Sequence, residues 1–250
     1  MASSEETQRA AATRNCPARW TWLAGVSNPA CWQTFEATWS DVRACADCSV
    51  PTAENRLVEL SRRAELCTDG EDEPANCLSP GSAERVCRAL GLRDFGVGTG
   101  RLPTAAEWKN AAQWPDLDAP SLVLARANEG AFNLCDSTFV AAFPSERCVR
   151  PTLLDGGARV DPQHPDSWAR VAPGGRFPAD RVNGLFDVYG NVSEFVSLGS
   201  DRWGAGGRSF LSGIAERSGA LVVGPQSRNQ LAADDFGAQY GFRCIVPLAP

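Results

Sequence analysis

Hydrophobic and polar positions in this chain change period every few residues, and the elements they predict are short. Aromatic and polar residues alternate over 31–38 (CWQTFEAT), which predicts a strand. Ser40 can then cap a short helix, DVRAC, and a second helix is predicted after Thr52 through ENRLVELSRRAEL, with a ragged apolar face. A third helix has Ser79 as N-cap, Pro80 at the first helical position and Gly91 as its stop. Within it Ala83, Val86, Cys87 and Leu90 fall at i, i+3, i+4 and i+7, one buried face. The fourth begins in RLPTAAEW, where Thr104 and Glu107 form a T-x-x-E capping box and Pro103 and Trp108 supply an apolar staple. From Trp114 to about Asp180 the pattern is irregular. A loop that long inside a compact domain needs an organiser, either disulfides or metal ions. Strand-like pieces return near Leu185–Val188, Phe195–Leu198, Leu221–Val223 and Gly241–Val246.

Few short helices, with 23 glycines and 17 prolines, predict a loop-rich α+β domain in place of a helical bundle or a doubly wound sheet. The chain has 250 residues, 43% of them apolar, enough for one sizeable core. Its net charge of −6 argues against a general nucleic-acid or acidic-membrane binder. Lys109 is the only lysine; the arginine-rich remainder suits carboxylate pairing, and is also what a GC-rich genome produces. No stretch approaches the ~20 apolar residues of a membrane span.

Ten cysteines change the picture: Cys16, Cys31, Cys45, Cys48, Cys67, Cys77, Cys87, Cys135, Cys148 and Cys244. A zinc site would start from Cys45-x-x-Cys48 with Cys67 and Cys77, but the second pair is widely spaced and His164 is the only histidine. Disulfides are therefore expected, and with them an extracytoplasmic location: secreted, periplasmic or surface lipoprotein. Residues 1–15 are polar and offer no signal peptide, and Met1 is the only methionine, which reads as a start placed before a trimmed mature chain.

Several segments resemble the formylglycine-generating enzyme (sulfatase-modifying factor) family. RLPTAAEW resembles its RLPTEAEWE signature, NGLFDVYGNVSEF its G-L-Y-D-x-x-G-N-V-W-E-W signature, and YGFRC its closing G-F-R motif. FEATWSDVRAC and PANCLSPGSAERVC resemble two further family segments, in the same order. The resemblance implies a modified C-type-lectin-like fold over residues 31–250, preceded by an N-terminal extension, 1–30, tied to it.

It also implies two calcium sites. One matches Asn133, the Leu134 carbonyl, Asp166 and the Trp168 carbonyl, with Asp155 and Asp161 as alternatives across a variable insert. The other matches Asp187, the carbonyls of Gly190 and Val192, and Glu194, all hard oxygen donors. The plainer alternative is that Asn133 and Asp187 cap turns and Glu194 lies on a solvated strand face. The resemblance further implies a Cys87–Cys244 disulfide; a second family bridge is expected to be absent because Ala112 occupies its position. The other eight cysteines allow on the order of 100 pairings, with Cys135–Cys148 and Cys16–Cys31 as local expectations.

Catalytic members oxidise a substrate cysteine with two cysteines that bind Cu(I), a soft ion that selects thiolates. Here Ser212 and Arg217 stand in their places, and no cysteine occurs between Cys148 and Cys244. A related branch uses iron held by three histidines, which His164 alone cannot build. A serine hydrolase built on Ser212 lacks a base nearby. The resemblance thus leads to a non-catalytic, calcium-stabilised binding module that takes a protein or glycan on its C-terminal face. Trp203, Arg208, Phe210, Ser212, Arg217, Gln226, Arg228 and Asn229 are the candidate contacts, although Phe210 also suits a core position and the arginines could pair with local acids. Three other readings stay open: an enzyme or accessory factor with altered chemistry, a variable ligand-binding protein of a diversity-generating retroelement, and a structural surface domain that its cysteines and ions armour.

Overall fold

The structure, a computed structural model, describes residues 16–24, 29–45, 48, 64–113, 132–135, 137–144, 167–207, 209–211, 231 and 237–248. Strands β1 (Trp20–Leu23), β2 (Ala30–Gln33) and β8 (Ile245–Pro247) form one antiparallel sheet with β2 in the centre. A second sheet holds β5 (Ser193–Gly199) between antiparallel β6 (Arg202–Gly206) and parallel β7 (Tyr240–Gly241). A two-stranded ladder, β3 (Arg181–Val182) and β4 (Leu185–Phe186), lies between them in sequence. The α+β expectation is met.

Successive side chains of a strand point to opposite faces, and here both faces are buried. Cys31, Phe195 and Val246 join one apolar cluster with Val86, Leu90, Leu102 and Phe242. Their neighbours Trp32, Val196 and Ile245 join another with Trp108, Val182 and Leu185. A third cluster collects Leu66, Phe139, Val192 and Phe210.

The strand expected over 31–38 ends at Gln33. Beyond it the chain leaves the ladder: the Thr34 carbonyl accepts from the Phe186 amide, and the Ala37 amide donates to the Phe242 carbonyl. Helix α1 (Trp39–Arg43) starts at Thr38 and not at Ser40, because Thr38 and Asp41 form a reciprocal capping box that Ser40 cannot make. Of the helix expected after Thr52, only a 3-10 turn, Ala64–Leu66, lies within the described residues. Helix α2 (Pro80–Phe95) begins at Ser79 as expected but runs through Gly91 to a left-handed cap at Gly96 (φ 69°). Gly91 serves close approach instead: a Cβ there would lie 2.7 Å from the Gly100 amide nitrogen. Helix α3 (Ala105–Ala111) carries the expected Thr104–Glu107 box, and α4 (Ser137–Ala142) contributes Phe139 to the core. The single strand expected over 241–246 is split into β7 and β8, and Leu221–Val223 lies outside the described residues.

The disulfide expectation is met. Cys16–Cys31, Cys45–Cys48, Cys67–Cys77 and Cys87–Cys244 are bridged. The cysteines considered for zinc are thus consumed in two bridges. Cys135 is disulfide-bonded as well, while Cys148 lies outside the described residues. No helix among the described residues is long and apolar enough to cross a membrane.

Candidate metal centre

Between β2, β4 and β5 the interior turns polar around Arg243. Arg243 is 1% exposed, and its guanidinium donates to the carbonyls of Gln33 (2.9 Å), Thr34 (2.8 Å) and Phe186 (2.6 Å). The same group grips the Glu194 carboxylate, with Nη2–Oε1 at 2.6 Å and Nε–Oε1 at 3.0 Å. Trp108 Nε1 donates to the other Glu194 oxygen at 2.7 Å. Gly206 makes room for that indole, since a Cβ at 206 would lie 2.7 Å from its ring. Glu194 is 1% exposed, so the alternative of a solvated strand face does not hold.

The loop from Asp187 to Asn191 is shaped by a neighbouring acid. Asp180 accepts the amides of Val188 (3.1 Å), Tyr189 (2.9 Å) and Gly190 (2.9 Å). Both ends of the loop take left-handed backbone, Asp187 at φ 55° and Asn191 at φ 66°, which Asp and Asn tolerate better than most residues. Asn191 then ties the centre together. Its amide group donates to Glu36 Oε2 (3.2 Å) and the Ala172 carbonyl (3.0 Å). Its oxygen accepts from Asn133 Nδ2 (2.9 Å) and the Ala172 amide (2.8 Å).

The structure therefore brings together Asn133 from one expected calcium set and residues 187–194 from the other. The Asn133 carbonyl accepts the Asn191 amide at 2.9 Å, and Gly190 packs so closely that a Cβ would come within 2.9 Å of that carbonyl. Leu134 and Val192 are buried beside them, and Trp168 lies under the Arg176 guanidinium at 5.9 Å. Asp166, Asp155 and Asp161 lie outside the described residues.

Each set contains a buried side-chain oxygen without a hydrogen-bond partner: Asn133 Oδ1 in one and Asp187 Oδ1 in the other. A third such oxygen is Glu36 Oε1. Buried polar atoms are nearly always paired, so orphaned acceptors fit a cation. Charge points the same way. Among the described residues the centre holds Glu36, Asp180, Asp187 and Glu194 against Arg243 alone. Burial, reinforced by Asp187, pushes Glu36 well above the ordinary carboxylate value. Burial pushes Asp187 to about 6 and Asp180 to about 8, the latter despite its three backbone donors. No set of three His, Cys, Asp or Glu side chains among the described residues lies close enough to hold a metal unaided. The expected calcium sets draw half of their donors from backbone carbonyls.

Sequence reasoning missed Glu36, Asp180, Asn191 and Arg243 as members of this centre. Of the expected ligand-recognition residues, Trp203 and Phe210 belong to the core. Trp203 is bridged to Leu231 through the backbone, and Phe210 is 1% exposed with its ring 6.1 Å from that of Phe139. Arg208, Ser212, Arg217, Gln226, Arg228 and Asn229 lie outside the described residues.

Few helices and three small sheets among the described residues fit a formylglycine-generating-enzyme-like fold. The chain belongs to the sulfatase-modifying factor enzyme 1-like domain family, whose profile matches residues 5–248. Among solved structures it is similar to variable protein 1 of Treponema denticola, at 13% identity and a TM-score of 0.54, over 92% of this chain and 95% of that one. It is also similar to CarF (17% identity, TM-score 0.49, 88% and 87% covered) and to PvdO from Pseudomonas aeruginosa (17%, 0.48, 88% and 81%). No curated protein matches the chain.

Proposed function

We propose that this chain is a non-catalytic member of its family: an exported, calcium-stabilised module that binds a protein or glycan through its C-terminal face. The cysteines carry this reading. None occurs between Cys148 and Cys244, where the catalytic pair belongs, and all nine described cysteines are disulfide-bonded. A hydroxyl at Ser212 and a guanidinium at Arg217 offer Cu(I) no soft donor. Oxidised cysteines also suit an extracytoplasmic protein.

Calcium is supported by the orphaned oxygens of Asn133 and Asp187, with the Leu134 and Trp168 carbonyls and Asp166 as the other donors of the first site, and the Gly190 and Val192 carbonyls and Glu194 as those of the second. With Trp203 and Phe210 in the core, recognition falls to Arg208, Ser212, Arg217, Arg228 and Asn229. The test of the non-catalytic reading is alkylation of the unreduced, unfolded protein followed by peptide mapping. No alkylated cysteine is expected; a pair of free thiols would contradict it. Recognition is tested by R208A and R217A, which should abolish capture of a host protein or immobilised glycan without lowering the melting temperature.

A further inference from the structure

The family's ligand set gives Glu194 to calcium, but in this chain both oxygens of that carboxylate are already engaged by side-chain donors. Its two oxygens receive Arg243 Nε and Nη2 and Trp108 Nε1. With a full-strength ion pair on one side and an indole on the other, Glu194 has little left for a cation.

Two other carboxylates are half satisfied. Asp187 Oδ2 accepts the Gly175 amide at 2.6 Å while Oδ1 has no partner; Glu36 Oε2 accepts from Asn191 at 3.2 Å while Oε1 has none. Both residues are at most 1% exposed, so neither orphaned oxygen faces bulk solvent. Their segments run side by side. The Phe186 amide donates to the Thr34 carbonyl, the Phe35 and Phe186 rings stack at 5.1 Å, and Arg243 bonds the carbonyls of both Thr34 and Phe186. Gly174 and Gly175 press against the Phe35 ring, which sets the Gly175 amide on Asp187.

We infer that Glu36 and Asp187 together hold a divalent cation, with Glu194 acting as the counter-ion of Arg243 and not as a ligand. Arg243 neutralises Glu194, and one dication matches the charges of Glu36 and Asp187. Asp180 is held by backbone amides. Hard, half-bonded carboxylate oxygens are the donors that calcium takes. The inference rests on the calcium reading above and replaces one of its ligands.

Calcium titration by calorimetry of the chelator-treated full chain tests it, comparing wild type with E36Q, E36D and D187N. E36Q and D187N should each weaken one calcium site by about ten-fold or more. E36D keeps the charge but withdraws the oxygen by a methylene, so it should also lose affinity while folding as wild type does; its calcium-free melting temperature checks this. Wild-type affinity in both Glu36 variants, with binding weakened in D187N, would overturn the role of Glu36 and leave the calcium reading standing. A wild-type chain that takes up no calcium would end both.

Discussion

Arg243 commits its whole guanidinium to the interior: three carbonyls from two separate segments and one carboxylate. Its fork matches Glu194 in a way that a lysine ammonium cannot. Removing one partner of a buried pair leaves the other charge uncompensated, at a cost of about 3–5 kcal/mol. R243L should therefore lose about that much in urea denaturation, and R243K should recover only part of it. A loss under about 1 kcal/mol would mean that Glu194 and the carbonyls find other partners. Asp187 and Asn191 belong to the same scale. Their left-handed backbone is uncommon outside glycine; donors on Gly175 and Asn133 and the Glu36 carboxylate that accepts from Asn191 hold it in place.

At the scale of the element, the helices divide by how local their determinants are. The Thr104–Glu107 box was legible because both partners sit within one turn of each other. Arg101 adds a bidentate bridge to Glu107 at 2.8 and 2.7 Å. Burial opposes ionisation of Glu107, yet the Arg101 fork and the Thr104 donors hold its pKa below the ordinary value. The sign follows. A depressed acid contributes stability above the unfolded-state pKa, and that contribution disappears as pH falls through the folded one. E107Q should lower stability at neutral pH and flatten its decline through the acid range below the ordinary glutamate value. Parallel acid limbs in thermal melts of the two proteins would contradict this. The stop expected at Gly91 is not made there because that residue's role depends on Gly100 and Val97, which the period of the helix does not reveal. Alanine normally improves a helix interior by about 1 kcal/mol over glycine. G91A should instead lower the melting temperature, since its methyl group meets the 97–100 turn.

At the scale of the molecule, the polar centre was only half legible. Asp187 and Glu194 lie in one motif and could be read together. Glu36 meets Asn191 across 155 residues and Arg243 meets Gln33 across 210, so no local pattern joins them. The same holds for the fate of Glu194: its motif gives it to calcium, whereas the fold surrounds it with Arg243 and Trp108. Cys87–Cys244 closes a separation of 157 residues and ties α2 to the residue between Arg243 and β8. Closing so long a loop restricts the unfolded chain, and removal of a native disulfide typically costs about 2–5 kcal/mol. The double variant C87A/C244A should lose that much stability, and an unchanged denaturation midpoint would make the bridge incidental.

We propose a family fold stabilised by calcium and without the copper-binding cysteine pair. Elemental analysis of the natively purified protein tests it most directly. Stoichiometric calcium is expected, with copper and iron near background. Stoichiometric copper or iron, or a protein without calcium, would contradict it.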